Sequence, residues 1–186
     1  MAKEPNAALR WALLCVLALV LIGWLPIMLR TDEWAFLPSI TWATRSFWPS
    51  MAFAAVCAIV PTVVAIRTPV LDAGNRKSIK YLIFLAITPA VFGTLGYYSV
   101  SAGGPMLYTW VAGKSTEVPY TVERTGRSED WKCRNWILLR DLPPLTSKLC
   151  GFPEEFIADL SPGQTILVSG NGSPLGVFVA SARLAD

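Results

Sequence analysis

Three long stretches without a charged residue constrain what this chain of 186 residues can fold into. They cover residues 11–29, 46–66 and 81–113. A helix rises about 1.5 Å per residue, so roughly 20 residues cross the ~30 Å hydrocarbon core of a bilayer. A soluble chain this short could not bury three such helices in one core. The pattern therefore predicts three transmembrane helices, at about 11–29, 47–66 and 81–100. Small residues on the second and third of these predict packing seams, either between the spans or toward a partner subunit.

The first stretch has to be distinguished from a cleaved signal peptide. It is longer than the ~7–15 apolar residues of a signal-peptide core, and no small-x-small cleavage pattern follows it. Cys15 follows two leucines rather than the small residues of a lipoprotein signal. We therefore predict that residues 11–29 form an uncleaved anchor.

Basic residues near the spans predict the orientation of the chain. The loop 67–80 contains Arg67, Arg76, Lys77 and Lys80. Because short basic loops stay on the cytoplasmic side, this loop and the amino terminus are predicted to be cytoplasmic. Residues 101–186 then lie outside. In a bacterium this describes a multi-pass protein of the inner membrane with a periplasmic carboxyl-terminal domain.

Residues 101–186 have the composition of an ordinary soluble domain. Short runs of β-forming residues alternate with turn residues, at 106–111, 118–123, 135–140, 164–169 and 176–182. The Asn-Gly pair within 170–174 predicts a hairpin between the last two runs. Residues 154–160 are compatible with one short helical turn. We predict a small, mainly antiparallel β domain, and an α+β protein overall; a partly open barrel is one arrangement of such strands.

Cys133 and Cys150 are predicted to form a disulfide in this domain. A domain of this size has a limited core and often needs a cross-link. A redox-active pair is the alternative, but its thiols usually have the Cys-x-x-Cys spacing, whereas these lie 17 positions apart. Cys15 and Cys57 fall within predicted spans, where a free thiol behaves as a small apolar residue.

No group of residues predicts a metal, cofactor or catalytic site. The chain contains no histidine, which is the most frequent general base and a common zinc ligand. The carboxylate pairs at 129–130 and 154–155 consist of neighbours, whose side chains diverge on strands and helices alike. Because the chain has no histidine, neither Ser169 nor Ser173 can have a histidine base. A serine–lysine pair would form only if folding brought Lys132 or Lys148 close to one of these serines.

A mixed-charge segment supplies the candidate partner-binding residues. Acidic residues alternate here with basic ones, and the basic ones are Arg124, Arg127, Lys132, Arg134 and Arg140. Two interpretations remain open: a solvated surface of mixed sign, or a binding face whose charges steer a protein partner. No stretch has the clustered basic face of nucleic-acid binding, so a nucleic-acid partner is not expected.

The leading functional hypothesis is a non-enzymatic accessory protein of the bacterial inner membrane. Its partners would be the lipid bilayer and a membrane or periplasmic protein, as in a subunit of an envelope complex or an immunity-type protein. No Asp, Glu, Lys or Arg lies within the three predicted cores, which disfavours a proton-coupled transporter. The alternatives are a membrane-bound enzyme acting on lipid or cell wall, and a homo-oligomeric pore.

Overall fold

The computed structural model describes residues 14, 17–18, 21–24, 35–67, 79–128 and 133–185. These residues form two compact units, one within residues 1–24 and 48–100 and one within residues 25–47 and 101–186. The elements, in chain order, are β1 (Phe36–Pro38), α1 (Ile40–Arg67), α2 (Ile79–Tyr98), a π-helical segment (Ser99–Gly103), α3 (Gly104–Ala112), β2 (Lys114–Arg127), β3 (Asn135–Leu139), β4 (Lys148–Cys150), α4 (Glu154–Ala158), β5 (Thr165–Ser173) and β6 (Gly176–Leu184).

Two helical runs are long and apolar enough to cross a membrane. They are Ile40–Ile66 and Tyr81–Ala112, and most of their residues are not buried inside the protein. Of the predicted span 11–29, the described residues 14, 17–18 and 21–24 are helical, and the others lie outside the described residues. Residues 68–78 of the predicted cytoplasmic loop are likewise not described. Two candidate membrane helices are therefore present, and a third transmembrane helix stays a prediction.

Helices α1 and α2 approach each other closely at small residues. A Cβ atom added to Gly96 would lie 2.8 Å from the Cβ of Cys57, and one added to Gly93 would lie 3.4 Å from that of Ala58. A side chain at Gly96 would therefore push the two helices apart. These residues belong to the seam that the spacing of small residues predicts.

One six-stranded antiparallel sheet forms the second unit, in the strand order β1-β6-β5-β2-β3-β4. The long strand β2 pairs with β5 along residues 114–121 and with β3 along residues 122–127, and its register shifts between Val122 and Arg124. A bulge of this kind bends a strand. The sheet curls so far that its two end strands line one cleft, with Leu37 from β1 and Leu149 from β4.

The core of this unit lies inside the curled sheet. Its fully buried side chains come from every strand, and they are Leu37, Tyr120, Val122, Ile137, Leu139, Leu149, Ile166, Val168 and Val177. Ile157 of α4 and Leu160 pack against them. The hydroxyl of Tyr120 donates to the carbonyl oxygens of Pro38, at 3.2 Å, and Leu37, at 3.4 Å. Burial raises the pKa of Tyr120, so this hydroxyl remains a donor that ties β2 to β1.

The structure confirms four of the five predicted strands and corrects the fifth. Residues 106–111 form helix α3 rather than a strand. The third predicted span was expected to end near residue 100, yet the helical run continues to Ala112, with Pro105 in the first turn of α3. Proline is well tolerated there because the first amide groups of a helix have no acceptor within it. Strands β1 and β4 were not predicted, and β1 adds residues 36–38 to a sheet expected only after residue 101.

A disulfide joins Cys133 to Cys150, with 5.0 Å between their Cα atoms. Cys133 lies two residues before β3, and Cys150 is the last residue of β4. The cross-link therefore closes the segment that contains β3 and the turn before β4. Among the cysteines that the structure describes, Cys57 is free and buried.

The first half of β2 has an open edge. On the β3 side, the carbonyl of Thr121 accepts a hydrogen bond from the amide of Arg140. On the β5 side, the amide of Val122 donates to the carbonyl of Gln164. Because backbone groups alternate between the two sides of a strand, Pro119 faces the same side as Thr121. Along residues 114–120 no strand is paired on that side in the part of the chain described. Proline has no backbone N–H to donate, and Pro119 therefore lies on the side of β2 where no hydrogen bond to a partner strand is lost.

Candidate functional site

Trp136 lies at the centre of the candidate site, on the outer face of the sheet. It pairs with Gly126 of β2 on one side and with Cys150 of β4 on the other. The indole ring occupies the space that a Cβ atom of Gly126 would need. Glycine at this position therefore lets the ring pack against the neighbouring strand.

Two cations flank the ring. The guanidinium carbon of Arg124 lies 5.7 Å from the centroid of the Trp136 ring, and the ammonium of Lys148 lies 5.2 Å from it. Both distances are within the range of a cation–π interaction. Arg124 and Lys148 also pair with Leu138 from its two sides, so the three residues form one row across β2, β3 and β4. We call Arg124, Trp136, Leu138 and Lys148 the Trp136 surface.

Among the residues that the structure describes, no carboxylate forms an ion pair with a cation of the Trp136 surface. Two ion pairs are formed elsewhere, between Arg127 and Glu154 and between Arg183 and Glu117. In the described ranges, neither Arg124 nor Lys148 forms an ion pair. Arg124 is exposed, and Lys148 is half-buried beside the indole. The surface therefore offers two cations and an aromatic ring to an anionic partner.

The five basic residues proposed from the sequence do not form one face. Side chains alternate along a strand, so Arg124 and Arg127 project to opposite faces of β2. Arg127 pairs with Glu154 at the start of α4. Arg134 and Arg140 are exposed before and after β3. Lys132 and the carboxylate pair at 129–130 lie outside the described residues.

The serines considered as nucleophiles have structural partners. The hydroxyl of Ser173 lies 2.6 Å from that of Thr109 and accepts a hydrogen bond from the amide of Leu175. The hydroxyl of Ser169 donates to Glu117 at 3.1 Å. Within the residues described, neither hydroxyl has a lysine among its hydrogen-bond partners.

Glu117 links three strands by its side chain. Arg183 of β6 and Ser169 of β5 both donate to its carboxylate, and these hydrogen bonds and the charge of Arg183 lower the pKa of Glu117. The carboxylate is therefore ionised at neutral pH. Among the described residues, no three potential metal ligands lie close enough together to hold an ion.

Comparisons with known proteins give no match. No protein-family model, no curated protein and no solved structure matches this chain.

Sequence reasoning identified Arg124 but missed Trp136, Leu138 and Lys148 as parts of the site. The sequence did contain a signal for these residues. Arg124 and Gly126 are two positions apart, as are Trp136 and Leu138, so each pair lies on one face of its strand. The register that brings these residues together depends on the bulge in β2, which the sequence pattern did not reveal.

Proposed function

We propose that this chain is a non-enzymatic accessory protein of a bacterial inner membrane, whose β domain lies in the periplasm and binds a protein partner with an acidic surface. Two candidate membrane helices and a disulfide support the location. The binding role is supported by the Trp136 surface. An envelope-complex subunit and an immunity-type protein are the two forms of this function that we consider.

The single observation behind the binding role is Trp136 flanked by Arg124 and Lys148, neither of which forms an ion pair with a described carboxylate. Tryptophan and arginine are enriched among the residues that contribute most to protein–protein affinity. Trp136 is held in place by Gly126 below it, so little side-chain freedom is lost on binding. The two cations select acidic partners and steer their approach.

Site-specific photo-crosslinking in the native bacterium tests this function. A photoreactive phenylalanine analogue replaces Leu138, which lies between the two cations. We expect one discrete adduct with a single protein that presents acidic residues at the cross-linked site. The identity of that protein separates the two forms, since an immunity-type protein binds one toxin and a complex subunit binds other envelope proteins.

Charge reversal provides the matched control. The double variant Arg124→Glu/Lys148→Glu should abolish the adduct at position 138, whereas Lys114→Glu should not. Lys114 is exposed at the opposite end of β2, roughly 33 Å from Arg124 along the strand. The absence of an adduct in the parent, or equal adduct formation in both charge-reversal variants, would refute the binding role.

The enzyme and pore alternatives predict different results. An enzyme acting through Ser169 or Ser173 would lose its activity on alanine substitution at one of these positions, although both hydroxyls are already engaged. A pore would conduct ions when the purified chain is reconstituted in liposomes. No described contact favours either alternative over the binding role.

A further inference from the structure

Strand β4 lies at one end of the sheet, and its side away from β3 has no partner among the described strands. On the β3 side, the carbonyl of Ser147 accepts a hydrogen bond from the amide of Leu139. Because backbone groups alternate between the two sides of a strand, Leu149 also faces β3, whereas Lys148 and Cys150 face away from it. Their amides and carbonyls are therefore in position to pair with an additional strand.

The strand at the other end of the sheet, β1, offers fewer backbone donors. The carbonyl of Ala35, just before β1, accepts from the amide of Val179 in β6, so the alternation turns Pro38 away from β6. Proline has no amide hydrogen, and the carbonyl of Pro38 already accepts from the hydroxyl of Tyr120. Pro119 interrupts the open half of β2 in the same way. Strand β4 contains no proline, which makes it a better site for an added strand than either of these edges.

An added strand would have two different environments for its side chains. On the outer face of the sheet, the row that begins at Arg124 ends at Lys148, and its next residue would belong to the added strand. Directly opposite residues of neighbouring strands have Cβ atoms about 5 Å apart, so an acidic residue there would pair with Lys148. On the other face, Leu37, Leu145 and Leu149 line a cleft. Because side chains alternate along a strand, the residues flanking the acidic one would point towards this cleft, where apolar side chains fit.

We propose that the acidic partner of the Trp136 surface binds in an extended conformation and adds to β4 as a seventh strand, through a segment in which acidic and apolar residues alternate. This inference rests on the proposed function and specifies the conformation and the sequence pattern of the partner. In such recognition, backbone hydrogen bonds provide affinity and alternate side chains provide specificity. A second copy of this chain fits less well, since its own β4 would bring another Lys148 to the edge, and like charges on adjacent strands are destabilising.

Two substitutions at position 148 test the pairing. Lys148→Gln removes the charge and keeps the backbone amide, whereas Lys148→Pro removes both. The readout is the adduct photo-crosslinked through position 138 in the native bacterium. We expect a several-fold weaker adduct with Lys148→Gln and a further decrease of about tenfold with Lys148→Pro, because a carbonyl of the partner then loses its donor.

Ser115→Pro is the matched control for the proline. Ser115 is exposed and faces the open side of β2, so this substitution also removes an outward amide but leaves β4 unchanged. The adduct should therefore be as strong as in the parent. An adduct equally strong in the Lys148→Gln and Lys148→Pro variants would overturn strand addition and leave the binding role intact. Absence of the adduct in the parent would overturn both, and an adduct between two copies of the chain would show that a second copy occupies β4.

Hydrogen exchange gives a second measurement that does not depend on the folding of the Lys148→Pro variant. The probe is a short synthetic peptide of alternating valine and glutamate, added to the full-length chain in detergent micelles, and amide exchange is followed by NMR. We expect several-fold slower exchange at Lys148 and Cys150, and no change at Leu149, which already faces β3. A peptide with lysine in place of glutamate should have no effect. Unchanged exchange at Lys148 and Cys150 with millimolar glutamate peptide would overturn strand addition.

Discussion

Removal of the disulfide should destabilise the β domain by about 3 kcal/mol. The perturbation is the double substitution Cys133→Ser/Cys150→Ser, which leaves no unpaired thiol at the site. The two cysteines are separated by 17 positions. Closing a loop of this length lowers the entropy of the unfolded chain by about 10.5 cal/mol/K, which is about 3 kcal/mol at 25 °C. This value corresponds to roughly a hundredfold change in the ratio of folded to unfolded domain.

The assay is guanidinium-induced unfolding of the full-length chain in detergent micelles, followed by brief proteolysis and mass analysis of the fragments from residues 101–186. With an m-value of about 3 kcal/mol/M, the unfolding midpoint should fall by about 1 M. Reduction of the parent protein should produce the same decrease. Cys57→Ser is the control, because Cys57 lies in α1 outside the sheet.

Two results would refute this reasoning. An unchanged midpoint in the double variant would show that the cross-link does not restrict the unfolded chain. An equal decrease in the Cys57→Ser variant would show that the assay responds to the loss of any cysteine. The expected decrease also has a structural signature: segment 133–150, which contains β3, should become susceptible to protease first.

Two further substitutions in the β domain have defined outcomes. Tyr120→Phe removes the donor to the carbonyl of Pro38 and should lower the free energy of unfolding by about 1 kcal/mol, measured in the same guanidinium assay. Arg183→Gln should raise the pKa of Glu117 towards its ordinary value, measured by carboxyl-carbon NMR titration. Because the pKa of Glu117 is lowered by folding, its pairing stabilises the domain at neutral pH, and this contribution is lost as the pH falls through the lowered pKa. A titration of Glu117 that is identical in the parent and the variant would exclude Arg183 as a cause of the shift.

The strands that could be predicted are those with local evidence. The hairpin of β5 and β6 has alternating β-forming residues on both sides of an Asn-Gly pair, and both strands are present. The cysteine pair was predictable from spacing and domain size. Strands β1 and β4 have three residues each, which is too short for a periodic pattern. They are strands because β1 pairs with the edge of β6 and β4 pairs with the edge of β3.

Helix α3 was mistaken for a strand because its aromatic and β-branched residues are common in strands. Met106, Thr109 and Val111 are as compatible with a strand as with a helix when considered alone. The helix forms because it continues the preceding helical segment and packs Thr109 against Ser173. That contact joins residues 64 positions apart, so no local pattern contains it.

The candidate site was predicted only in part for a similar reason. The basic residues of segment 124–140 are evident in the sequence, but which of them share a face depends on the register of β2 and β3. The bulge between Val122 and Arg124 changes the alternation of side chains along β2. The bulge places Arg124 on the outer face beside Trp136, and the regular alternation after it places Arg127 on the opposite face, where it pairs with Glu154.

Pro119, in the half of β2 that has one unpaired side, limits edge-to-edge association between copies of this protein. An incoming chain would need an unbroken row of amide donors to extend the sheet, and Pro119 interrupts that row. Two neighbouring molecules therefore cannot join their sheets along residues 114–120 by continuous backbone pairing. This protection is encoded in one residue, and it does not depend on β3, which pairs with β2 only from Val122 onward.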